Sequence, residues 1–112
     1  MIARRRQIDF AEINRVALAH LPDLLVRWLP DGTQHGAEWV ARNPKRDDRH
    51  PGSFKVNLTT GRWADFATGD RGGDVVSLAA YLAGLTQAEA ARRVAAMLGA
   101  CAGLIAIEDC DD

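Results

Sequence analysis

The chain has 112 residues and a mass of 12.2 kDa, enough for one compact domain with a single core and too little for two, which excludes a multi-domain enzyme. Apolar residues make up 47% and charged residues 26%, the composition of a folded soluble domain rather than a disordered or disulfide-stapled chain. The net charge of −1 hides an asymmetry: four of the 15 acids lie in the last five residues, Glu108 to Asp112, leaving 14 bases against 11 acids, about +3, over Met1 to Ile107.

Arg4, Arg5 and Arg6 are not followed by an apolar run of about 7–15 residues, so no secretion signal is expected. From Asp9, the residues Ile13, Val16, Ala17 and Leu21 recur at helical spacing. Pro22 then opens a second short helix carrying Leu24, Leu25 and Trp28. Pro30-Asp31-Gly32 is a turn, after which the period changes from 3.6 to about 2 and a small sheet begins.

The first predicted strand is Ala37 to Arg42, with Trp39 and Ala41 on one side and Glu38, Val40 and Arg42 on the other. An exposed, charged loop follows from Asn43 to Gly52. In the second strand Phe54, Val56 and Leu58 alternate with Ser53, Lys55 and Asn57. Thr59-Thr60-Gly61 turns the chain, and Arg62 to Phe66 returns as the hairpin partner.

Gly69 to Gly73 reads as a second loop, ending at Asp74 as the cap of a helix with an apolar stripe of Val75, Leu78, Ala79 and Leu82. Gly84 stops it. Thr86 to Glu89 is a capping box, and Ala90, Val94, Met97 and Leu98 form the stripe of a last helix ending before Gly99. The fold class expected is therefore α+β: a small antiparallel sheet flanked by an N-terminal helical region and two C-terminal helices.

Residues 1–100 form the predicted domain and 101–112 an acidic tail holding both cysteines, Cys101 and Cys110. Their spacing suits no metal, and two cysteines with no secretion signal point to a reduced, cytoplasmic protein. No stretch approaches the ~18 apolar residues of a membrane span, so no membrane partner is expected. There is no internal repeat and no low-complexity segment.

Three stretches carry a resemblance to a known family: His50-Pro51-Gly52-Ser53-Phe54-Lys55-Val56-Asn57, then Gly61 to Gly69, then Gly72-Gly73-Asp74-Val75-Val76-Ser77-Leu78. In order and spacing they resemble the N-terminal zinc-ribbon domain of bacterial and phage DNA primases, over about Ile8 to Gly99. The family has a Pro-Ser-Phe-x-Val-Asn strand, a Gly-x-aromatic strand, a Cys-Phe-x-Cys-Gly knuckle, a Gly-Gly-Asp-Val turn and paired helices. Where the knuckle places its cysteines this chain has Asp65 and Thr68, and near the family's Cys-x-x-His it has Asn43 to Arg46. Structural zinc needs four Cys or His ligands, so the zinc is expected to be lost and no cofactor is expected. His50 beside that position is one histidine, expected as an exposed loop residue, and His20 and His35 have no partner at ligand spacing.

The resemblance implies a grip on template DNA, to which Arg42, Lys45, Arg46, Arg49, Lys55, Arg62 and Arg71 would contribute phosphate contacts. From charge alone a solvated face is the simpler reading, because Asp47, Asp48, Asp65 and Asp70 interleave with these bases. Trp39, Phe54, Trp63 and Phe66 either fill the core or offer stacking surfaces for bases; at least two are expected inside, and Trp63 joins the basic residues as a DNA-binding candidate. Gly69 to Gly73 suits a structural turn better than a phosphate cradle, since Asp74 at the cap repels phosphate.

Catalysis by this chain alone is not expected. There is no Walker-type Gly-Lys-Ser/Thr sequence, Asp47-Asp48 is not placed for two-metal chemistry, and Ser53 with His50 lacks a third group to orient a base. In the resembling family the active site lies in a separate Toprim domain. The expected function is an accessory domain of a plasmid, phage or other mobile-element replication system that binds single-stranded DNA without strong base preference beside a polymerase, primase or helicase. One alternative is a protein-docking module that binds a replication or conjugation partner and never touches DNA; another is an N-terminal piece of a longer primase-helicase.

Overall fold

The structure, a computed structural model, describes residues 8–45 and 52–99. In chain order these form α1 (Phe10–Ala19), α2 (Leu21–Trp28), β1 (Thr33–His35), β2 (Glu38–Ala41), β3 (Phe54–Asn57), β4 (Trp63–Asp65), β5 (Arg71–Gly72), α3 (Val75–Ala83) and α4 (Gln87–Leu98). The class is α+β, with the helices flanking an antiparallel sheet of spatial order β1-β2-β3-β4-β5 among the described residues. The tail from Cys101, the arginines Arg4 to Arg6, and the loop residues Arg46, Arg49 and His50 lie outside the described residues.

The helices begin and end where local chemistry satisfies their orphan backbone groups. The Asp9 side chain accepts from the Glu12 amide, and capping boxes join Asp74 to Ser77 and Thr86 to Glu89. Gly84 ends α3 in the left-handed conformation, with φ of 69°. Asn14 of α1 uses its Oδ1 to accept from the Val76 amide at 2.9 Å, so a side chain 62 residues away satisfies a donor in the first turn of α3.

The sheet has one buried face. Strand alternation sends Ala41, Phe54, Val56, Trp63 and Asp65 inward, all buried, toward Ile13, Val16, Leu21, Leu25, Val75, Leu78 and Val94 of the helices. Tyr81 of α3 meets this face directly, its ring centroid 4.6 Å from that of Trp63 and 6.2 Å from that of Phe54. Both indoles of the sheet also find acceptors: Trp63 Nε1 donates to Ser77 Oγ at 2.9 Å, and Trp39 Nε1 to the Leu29 carbonyl at 3.1 Å.

The expected elements differ from the observed ones at the sheet edges and on two helix faces. Thr33–His35 and Arg71–Gly72 are strands although their sequences show no apolar alternation; each is an edge of the meander, placed by pairing with β2 or β4 rather than by burial. In α3, Val76 and Ala80 are buried while Ala79 and Leu82 are only half-buried, because α1 and α4 both pack on α3 and widen its covered face. In α4 the expected Ala90, Val94 and Leu98 are buried, Ala91 and Ala95 join them on a wider inner face, and Met97 is exposed.

Gly72 sits where the Trp63 indole crosses β5. A Cβ there would lie 2.4 Å from Trp63 Nε1 and 2.5 Å from Ser77 Oγ, inside any real contact distance. Gly72→Ala is therefore expected to destabilise the fold by about 1–3 kcal/mol, the usual cost of overpacking. Thermal denaturation checks this: the midpoint should fall by roughly 4–8 °C per kcal/mol, and an unchanged midpoint would mean that the indole is not seated on Gly72.

Candidate nucleic-acid interface

The other face of the sheet carries no buried side chain among the described residues. Register sets its layout. His35 pairs with Glu38 and Glu38 with Asn57, whose amide donates to the Arg62 carbonyl at 2.7 Å; this makes one row across the strands. The next row runs Thr33, Val40, Lys55, Ala64 and Arg71. Phe66, one residue past β4, continues the ladder by donating its amide to the Ser53 carbonyl at 2.7 Å, and the residue is 69% exposed.

Glu38, Lys55, Asn57, Arg62, Phe66 and Arg71 line one open cleft of about 340 Å³ on this face, with small Ala64 among them. The Lys55 Nζ lies 5.7 Å from the centroid of the Phe66 ring, a cation–π contact that leaves the ammonium over the exposed aromatic. A cationic groove with one exposed ring is the combination that holds single strands: cations track the phosphates and the ring stacks a base.

The structure sorts the expected site residues. Lys55, Arg62 and Arg71 come together at the cleft, and Arg42, just past β2, is exposed outside the set that lines it. Lys45 is exposed but points elsewhere, its ammonium 5.3 Å from the Tyr81 ring centroid. Arg46 and Arg49 fall outside the described residues. Trp63 also borders the cleft, but at 5% exposure its ring packs with Phe54 and Tyr81 in the core, which leaves little of its face for base stacking. Phe66 takes that place. Alternation carried the signal, since Arg62, Ala64 and Phe66 share one parity and Trp63 and Asp65 the other.

A buried polar cluster holds the strand ends that present this face. Asp65 and Asn43 are 0% and 1% exposed, and the Asn43 Nδ2 donates to Asp65 Oδ2 at 2.8 Å and to the Tyr81 hydroxyl at 2.8 Å. The hydroxyl donates in turn to Asp70 Oδ2 at 2.7 Å. Burial foremost, with the Asp70 and Asp65 carboxylates adding to it and the Asn43 hydrogen bond opposing, raises the Tyr81 phenol above its usual range and keeps it a donor at neutral pH.

Asp65 also builds the turn that carries Phe66. Its Oδ1 accepts from the Ala67 amide at 2.8 Å, its carbonyl accepts from Gly69 at 2.8 Å, and its amide donates to the Asp70 carbonyl at 2.7 Å. These residues stand where the resemblance puts a zinc knuckle, and they do not fit zinc. Both Asp65 oxygens already accept hydrogen bonds, Asn43 turns its NH₂ toward the carboxylate, and Thr68 Oγ1 accepts from the Asp70 amide at 3.2 Å. Among the described residues no cluster of three or more His, Cys, Asp or Glu side chains is placed to hold a metal.

Asp65→Asn keeps the shape but sets one NH₂ against either the Asn43 NH₂ or the Ala67 amide. It is expected to cost about 1–3 kcal/mol, the penalty for a buried polar group deprived of its partner. Exchanging both residues, Asn43→Asp with Asp65→Asn, restores a donor facing an acceptor and should recover part of the loss. Denaturant titration measures all three proteins; an Asp65→Asn variant as stable as the parent would show that the cluster does not hold the turn.

No protein-family model matches the chain, and neither does any curated protein or any solved structure.

Proposed function

We propose that this is a non-catalytic, single-strand nucleic-acid-binding domain, an accessory of a primase-type replication system, that holds DNA on the open face of its sheet. The observation that carries the reading is the cleft lined by Lys55, Arg62 and Arg71 together with the exposed Phe66. The cations neutralise phosphates while Phe66 stacks a base, and neither role needs a sequence-specific contact. The domain acts beside a separate polymerase, primase or helicase, in the cytoplasm. Among the described residues no helix is long and apolar enough to cross a membrane, in keeping with this setting.

A protein-docking module is the alternative, and one feature favours it: an apolar cleft of about 370 Å³ lined by Trp28, Ala79, Leu82, Leu85, Val94 and Met97, on the helical side of the molecule. The two readings separate in a binding titration. Affinity for labelled oligothymidylate should fall with salt at a slope of roughly 0.7 per phosphate contact, and replacing Arg62 and Arg71 together by alanine should reduce that slope by about 1.4. Phe66→Ala should weaken binding by about 1–3 kcal/mol while leaving the melting temperature unchanged, because the ring is exposed. No binding at low salt, or variants that bind like the parent, would put the docking reading ahead.

A further inference from the structure

The cleft contains one group that a plain phosphate-binding surface would not: the carboxylate of Glu38, among Lys55, Arg62 and Arg71. Opposite it in the register stands Asn57. Among the described residues Glu38 forms no ion pair and no side-chain hydrogen bond, despite three cations lining the same cleft. A carboxylate in that position repels phosphate, so a bound strand has reason to place something other than its backbone there.

The orientation of Asn57 is fixed by its own turn. Its Oδ1 accepts from the Thr59 amide at 2.8 Å and from the Thr60 amide at 2.9 Å. Two backbone donors on one side-chain atom make that atom the oxygen, which leaves the Nδ2 as a donor with no partner among the described residues. Glu38 and Asn57 on neighbouring strands thus offer a pair of acceptors beside a donor.

We infer that Glu38 and Asn57 read a guanine base in the single strand that the proposed face binds. Guanine is the base whose Watson–Crick edge carries two adjacent donors, N1–H and the N2 amino group, next to an acceptor, O6. The carboxylate accepts from both donors and the Asn57 Nδ2 donates to O6, while Phe66 supplies the stacking surface of the same cleft. Adenine and cytosine each present one amino donor beside a ring-nitrogen acceptor, which would set a lone pair against the second carboxylate oxygen. Thymine has a single N–H between two carbonyls and meets the same repulsion.

This inference rests on the nucleic-acid reading, and the test separates the two. Fluorescence anisotropy on the full chain compares labelled oligothymidylate with otherwise identical oligomers carrying one central dG, dA, dC or dI. The dG oligomer should bind about 5- to 150-fold more tightly than oligothymidylate, the range for one good bidentate base contact. The dI oligomer, which lacks the N2 amino group, should lose much of that advantage without any change to the protein. Glu38→Gln should reduce the dG preference to under about three-fold, because an amide can accept only one of the two guanine donors, while oligothymidylate binds as well or better. If oligothymidylate binds and dG binds no better, or if Glu38→Gln or dI keeps the full preference, guanine reading is wrong and the nucleic-acid face stands. If no oligomer binds, both fall.

Discussion

A carboxylate with no exposure to water has to be surrounded by donors, and the Asp65 side chain organises its end of the sheet on that condition. Its two oxygens accept from Asn43, at the start of the β2–β3 loop, and from Ala67, in the β4–β5 turn. Asn43 passes the connection to Tyr81 on α3, and Tyr81 returns it to Asp70 at the foot of β5. Three separate stretches of chain are fixed by one closed set of hydrogen bonds. Leaving Asn43 or Asp65 unpaired inside the protein costs more than the bond itself contributes.

The division of the sheet into two faces depends on this anchoring. Inward, Phe54 and Trp63 meet Tyr81 and the helices; outward, the same strands present Lys55 and Ala64, and β5 adds Arg71. Phe66 lies between Asp65 and Ala67, both held by the buried carboxylate, so its exposed ring projects from a backbone that is fixed. Preorganisation of that kind favours stacking, because a base meeting the ring has little loop entropy to remove.

Much of the architecture was legible because it follows local rules. Asp74, Thr86 and Glu89 mark helix starts, Gly84 marks a stop, and the alternation through Phe54, Val56 and Trp63 gives the hairpin and its inner face. The edge strands were not legible, because Thr33–His35 and Arg71–Gly72 are ordered by pairing and bury little. The Asn43–Asp65 contact spans 22 residues and leaves no local signature. At the candidate site, charge alone singles out Lys55, Arg62 and Arg71, whereas Phe66 and Glu38 need the register that sets them in the same cleft. Trp63 was ambiguous from composition alone, since an aromatic flanked by bases suits a core and a stacking surface equally until its parity is compared with that of Asp65.

The central claim is that the open sheet face, rather than the helical side, meets the ligand. Titrating isotope-labelled protein with a short oligothymidylate at low salt, and following each backbone amide by heteronuclear correlation spectroscopy, tests it most directly. The account predicts the largest shift changes at Val40, Lys55, Ala64, Phe66 and Arg71, with Leu82, Val94 and Met97 unmoved. Changes concentrated at Trp28, Leu82, Val94 and Met97, or none at any residue, would contradict it.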